Sequence, residues 1–207
     1  VASGEVLPLT VDGTAAWTQA RTGNGVFSTG TTSSGAWIDS GRVSDPSQLT
    51  GASYSLQFGA GGSTFSVLKD GVPTAMNNVA FTSGQAIEVD GMSFTITGSP
   101  ADGDQFGIEP SLPELNVFDV FDRAIAELST PSRSGAQITQ STQSSLRDLD
   151  ASMGSLQSLR GAVGESLKRA DAVESRLAAL KLHGQSELSD AEDLDVVAAC
   201  LRRQREQ

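Results

Sequence analysis

The chain has 207 residues, 25 acidic against 14 basic side chains, a net charge of −11 and one cysteine. The length allows one large domain or two small ones. The acidic balance argues against nucleic acid, whose phosphates need clustered Lys and Arg, and a single cysteine excludes an intramolecular disulfide framework and any cysteine-based zinc cluster.

Composition divides the chain. All eight Phe, both Trp and the single Tyr lie at or before Phe121, and glycine is concentrated in the same part. Residues 1–114 hold 11 acidic and 3 basic side chains; residues 115–207 hold 14 and 11. A segment of roughly 110 residues with β-branched and aromatic side chains can bury its own core. A helical segment without large rings packs only in thin layers.

In chain order, residues 1–112 read as a β domain. Asp-Gly pairs in "VDGT" (11–14), "KDGV" (69–72) and "VDGM" (89–92) stand between candidate strands and suit turns in which both central residues need positive φ. Ile87 and Val89, then Met92, Phe94 and Ile96, alternate about the third pair and form the strongest hairpin. Trp37-Ile38, Tyr54 to Phe58 and Phe65 to Lys69 are further candidate strands. Short strands with Gly-rich turns predict an antiparallel sandwich or barrel-like domain.

Pro110 and Pro113 then interrupt the strand pattern. Asn116 is a good N-cap, with Asp119 in the first turn. Val117, Val120, Phe121, Ala124, Ile125 and Leu128 follow at helical spacing along one apolar face, which Ser129-Thr130-Pro131 ends. A second helix is expected from near Gln137 to His183, with an apolar stripe of Leu146, Leu149, Met153, Leu156, Leu159, Val163, Leu167, Val173, Leu177 and Leu180. Such a helix extends roughly 70 Å, against a diameter of roughly 40–45 Å for a compact globule of this length. Residues 113–207 therefore read as an elongated helical rod, one short helix and one long antiparallel helix. The fold class expected is α+β. Gly154, Gly161 and Gly164 each weaken a helix interior by about 1 kcal/mol; either another helix packs closely against them or they soften the rod. The apolar seam needs a partner, from further chain or from another molecule.

Sites for chemistry are poorly supplied. His183 is the only histidine, and it is remote in sequence from any candidate nucleophile. A Cys200–His183 pair lacks a supporting signature, and Cys200 reads as a small buried hydrophobe among Val196, Val197, Ala199 and Leu201. In "ADGDQFG" (101–107), Asp102 and Asp104 superficially resemble a calcium loop, but Phe106 occupies the third ligand position and no bidentate Glu follows. "GNG" (23–25) and "GAGG" (59–62) lack the helix and Lys-Ser/Thr pair of a phosphate loop. Trp17 and Trp37 fit either core packing or stacking on a sugar. No enzyme activity, catalytic residue, cofactor or metal is expected. No run of 18 apolar residues predicts a membrane span, and no basic-then-apolar leader is read at the start. The chain opens at "VASGEVLPL" without Met and stops in helical text at "RRQREQ", so a fragment is expected.

The order "GNGVFSTG", "GAWIDSGRVSDPSQLTGASYSLQF", "IEVDGMSFTITGSPADGDQFGIEPS", then "VFDVFDRAIAEL", resembles the bacterial flagellar hook-associated proteins of the FlgL type, the third hook-associated protein at the hook-filament junction. The similarity runs over nearly the whole chain. Its most specific part is Asp90 to Gly98, followed by Ser99 to Phe106, with "AVGESLKRADAVESRLAAL" and "SELSDAEDLDVVAACL" resembling the family's carboxy-terminal helix. The resemblance implies an outward β domain inserted between two helical ends that stack in the axial wall, with the amino-terminal helices and the last carboxy-terminal stretch absent. It implies a secreted, extracellular structural adaptor supporting motility and exported without a cleaved leader. Its implied partners are neighbouring copies of itself, the preceding hook-associated junction protein, flagellin and a flagellar export chaperone. The ten stripe residues from Leu146 to Leu180 are then the expected packing and assembly residues. The alternatives are a surface-exposed module binding a glycan or host receptor through Trp17, Trp37 and Tyr54, or a subunit of another secreted fibre.

Overall fold

The computed structural model of the protein describes residue 10 and residues 12–205, with the backbone alone for residues 193–199. Asp12–Leu159 form one compact unit, and Arg160 onward belongs to a second.

The chain enters through a one-turn helix, α1 (Thr14–Thr18). The first Asp-Gly pair is therefore not a hairpin turn: the Asp12 carboxylate accepts the Thr14 N–H at 2.8 Å and starts this helix. Twelve strands follow: β1 (Ala20–Arg21), β2 (Phe27–Thr31), β3 (Ala36–Ile38), β4 (Arg42–Val43), β5 (Tyr54–Gly59), β6 (Thr64–Lys69), β7 (Val72–Pro73), β8 (Val79–Ala80), β9 (Ala86–Val89), β10 (Met92–Gly98), β11 (Gln105–Pro110) and β12 (Pro113–Leu115). Two longer helices complete the described chain, α2 (Val117–Ser129) and α3 (Gly135–Arg205). The class is α+β, as expected.

Every strand pairing is antiparallel. One sheet has the order β2-β11-β5-β6-β7, with β8 also on β6; a second is built round β10, which pairs with β3, β4 and β9; β1 and β12 form a separate two-stranded piece. Neither large sheet closes into a barrel. Their inward residues share one core, in which Leu56, Val67, Phe106 and Ile108 of the first sheet meet Ile38, Phe94 and Ile96 of the second. This is the sandwich alternative, two sheets burying the alternate residues of each strand. Phe58 packs edge-on against Phe106 and Phe81, with ring centroids 5.3 and 5.0 Å apart.

The other two Asp-Gly pairs turn as predicted. Asp70-Gly71 has φ of +48° and +78° between β6 and β7, and Asp90-Gly91 has +41° and +79° between β9 and β10. At Gly62 the requirement is spatial as well: φ is +84°, and an added Cβ would stand 1.9 Å from the Pro100 carbonyl oxygen.

A polar knot joins the two sheets. Lys69 Nζ donates to Asp90 Oδ2 at 2.7 Å, and the Tyr54 hydroxyl donates to the same oxygen at 2.6 Å. Tyr54 is itself buried. The Lys69 hydrogen bond, with that of Tyr54, holds the Asp90 carboxyl below the usual range, and the Asp90 bond raises Lys69 above its own.

Candidate assembly surface

Asn116 starts α2 as an N-cap, its side-chain oxygen accepting the Phe118 N–H at 3.0 Å. This satisfies one of the four donors that a helix start leaves open. Val117 and Val120 are buried, and Val120 packs with Ala20, Leu115 and Leu149. Leu128 faces Ser141 and Thr142 across a small groove of about 180 Å³, while Arg123 reaches Asp148. Advancing along α2 thus means retreating along α3, so α2 and the start of α3 are an antiparallel pair.

The pair leaves most of the apolar face of α2 uncovered. Phe121, Ile125 and Leu128 are 50%, 62% and 73% exposed, and Phe118 is exposed beside them with Trp17 stacked on it at 6.2 Å. On α3, Leu149, Leu156, Leu159, Val163 and Val173 are half-buried, whereas Leu146, Met153, Leu167, Leu177 and Leu180 are exposed. Only Leu149 of these ten belongs to a buried cluster among the described residues. At Gly154, Gly161 and Gly164 an added Cβ would meet nothing within 4 Å among the described residues. The start of α3 is fastened to the β sandwich by polar contacts instead. Gln140 Oε1 accepts the Ile38 N–H at 2.8 Å, and Ser134 Oγ donates to the Ser34 carbonyl at 2.5 Å.

Beside these contacts lies a polar cavity of about 420 Å³ between β2 and the α2–α3 pair. Arg123, Arg133 and Arg147 converge on it, with Asp148 and Glu127. Asp148, almost fully buried, accepts from Arg123 at 3.0 Å and stands 3.7 Å from Arg147 Nε. Arg133 donates to neutral acceptors, the Glu127 and Gln137 carbonyls and Ser141 Oγ, at 2.9 to 3.0 Å. Sequence reading passed over this cluster. Its arginines are spread over 25 residues of unremarkable helical text, and only the folding back of α2 on α3 collects them.

Several expectations change on contact with the fold. Trp17 is exposed rather than in the core, Trp37 is half-buried, and Tyr54 is buried with its hydroxyl engaged, so the three do not make an exposed aromatic platform. Cys200 is exposed rather than buried; the side chains of Val196, Val197 and Ala199 lie outside the described residues. Asp104 accepts from Ser33 Oγ at 2.5 Å and the Ala101 N–H at 2.8 Å, which is the work of a tight loop. His183 stands 3.3 Å from Glu187 one turn along α3. No described helix is long and apolar enough to cross a membrane.

Comparison with known proteins bears on these elements directly. Residues 27–110, which run from β2 to the end of β11, match the family described as "Flagellar hook-associated protein 1, D2-like domain". No curated protein matches the chain by sequence. Among solved structures, FlgL from Xanthomonas campestris superposes with a TM-score of 0.74 at 25% identity, covering 87% of this chain and 60% of its own. The flagellar junction protein FlgL from Legionella pneumophila gives 0.72 at 21%, covering 84% and 58%. Flagellar hook associated protein-3 from Legionella pneumophila gives 0.74 at 22%, covering 99% and 63%. The chain thus spans about three fifths of the length of the solved structures it matches. Residues 27–110 thus resemble a domain of the flagellar hook-associated proteins, and the fold that carries them resembles that of FlgL.

Proposed function

We propose that this chain is the β domain and carboxy-terminal helical part of a structural adaptor that joins the hook-associated ring to the flagellin filament outside the cell. The observation that carries this reading is the pairing of a matched hook-associated β segment with a FlgL-like fold over 87% of the chain. Residues 1–112 serve as the outward domain and residues 113–207 as the rod. The assembly residues are those of the α3 stripe: Leu146, Leu149, Met153, Leu156 and Leu159, then Val163, Leu167, Val173, Leu177 and Leu180. Exposed leucines in a row on a helix gain free energy only when another surface covers them, about 25 cal/mol for each Å² of apolar area removed from water. In an adaptor that surface belongs to the remaining helices of the protein and to adjacent subunits: copies of itself, the preceding hook-associated protein and flagellin. An export chaperone covers it before secretion. No reaction is needed for such a role, and none is assigned.

The test is genetic. Deleting the gene is expected to leave hooks without filaments and flagellin shed as monomer into the medium, with the intact gene restoring filaments. Normal filaments in the deletion strain would overturn the proposal.

A further inference from the structure

The arginine-lined cavity has a charge balance that the adaptor role does not explain. Three guanidinium groups meet two carboxylates there, in a chain whose net charge is −11. A cleft lined by an excess of one charge concentrates the opposite ion, so cations collected in one place attract an anion. Asp148 is already shared between Arg123 and Arg147. Arg133 is held in position by neutral acceptors alone, so its orientation is set while its charge stays available. Arg147 Nε is buried and donates a hydrogen bond to no acceptor; its 3.7 Å approach to Asp148 is an ion pair without a hydrogen bond. Buried donors are nearly always satisfied, and an exception needs an explanation. The wall opposite is made of hydroxyl and backbone groups, with Ser28 and Thr29 on β2 and Ser144 on α3.

We propose that this cavity binds one small oxyanion of the phosphate or sulfate class, held by Arg133 and Arg147 and by the Ser28 and Ser144 hydroxyls, the Thr29 hydroxyl being committed to the Asp39 carbonyl. Guanidinium presents its N–H groups in a fork that matches the oxygens of such an anion, and charge-assisted hydrogen bonds of this kind are among the strong ones. A chloride ion lacks the separate oxygens that could meet the remaining N–H groups of Arg133 and Arg147 together. Because α2, β2 and the start of α3 all line the cavity, the bound anion fastens the sandwich to the foot of the long helix.

The test is calorimetric titration of the 207-residue chain with inorganic phosphate, at an ionic strength held constant with sodium chloride. Saturable binding at one site is expected. Arg133→Gln and Arg147→Gln should each weaken it by roughly tenfold or more, the usual loss for a hydrogen bond to a charged group. Lys168→Gln removes the same charge from an exposed position of α3 and should leave it unchanged. Circular dichroism checks that each variant is folded; if Arg147→Gln is not, Arg133→Gln, which breaks no carboxylate pair, decides alone. Absence of saturable binding, or an equal loss in Lys168→Gln, overturns the proposal.

Discussion

Asp90 does two jobs at one position. Its backbone, at φ +41°, makes the first half of the β9–β10 turn, and its carboxylate takes hydrogen bonds from Lys69 and Tyr54 on the neighbouring sheet. The depressed carboxyl makes the second job dependent on pH. A group whose folded pKa lies below its unfolded value, 3.8 here, contributes stability above that value and loses it as the pH falls through the folded pKa. Lys69, raised from 10.5, contributes below that value and loses its share as the pH rises through the folded one. Asp90→Asn is therefore expected to melt below the unaltered protein at neutral pH. In thermal unfolding followed by circular dichroism, that gap should narrow once the pH drops under 3.8. A gap that stays constant well below that pH would mean that the amide disturbs packing and that charge is not the cause. The effect should be small, because both side chains are partly exposed and solvent screens the pair.

Among the elements, α2 was the best predicted and is the least fully used. Its N-cap and its end after Ser129 are as the sequence indicates, yet of its six-residue apolar face only Val117 and Val120 are buried. Asn116→Ala should cost about 1 kcal/mol, the usual loss for a capping side chain; urea unfolding of the chain measures it, and an unchanged midpoint would show that water replaces the cap. Strand β11 was among the strands that the sequence did not mark. Phe106 and Ile108 do alternate, but Asp102-Gly103-Asp104 before them and Pro110 at the end make the stretch read as a turn and a connection. It is nevertheless an interior strand of its sheet, paired with β2 on one side and β5 on the other. Strand formation here comes from the two partners and from burial on one face, contacts that no local window contains. Helix α3 shows the converse. The sequence marks its stripe clearly, but not its extent, since it runs past His183 to Arg205. Four interior glycines, Gly184 directly after His183 among them, and few large side chains weaken the local signal without ending the helix.

At the scale of the whole molecule, the proposed adaptor role turns on which surface would carry assembly. The α3 seam and the outer strands of the sandwich both expose apolar side chains, Leu167 and Leu177 on one and Val72 on the other. If the seam is the assembly surface, Leu156→Asp in the complete protein should reduce filament number far more than Val72→Asp, because a charge in a covered helical seam loses its solvation whereas one on an exposed strand edge does not. Electron microscopy of cells carrying each variant in place of the native gene counts the filaments. Equal counts would remove the seam from the assembly surface.

The sequence by itself determined the α+β class, the order of β text before helical text, the two hairpins at Asp70-Gly71 and Asp90-Gly91, the cap at Asn116 and the stripe along α3. Each rests on neighbours within a few residues, where turn chemistry and hydrophobic period act directly. Tertiary structure alone decided that the sheets pack as a sandwich, that β11 lies inside one of them, that Tyr54 is buried against Asp90, and that Arg123, Arg133 and Arg147 share one cavity. Those features join residues tens of positions apart. They exist only because the chain folds back on itself, and a charge or a ring carries no mark in sequence of the distant group it will meet.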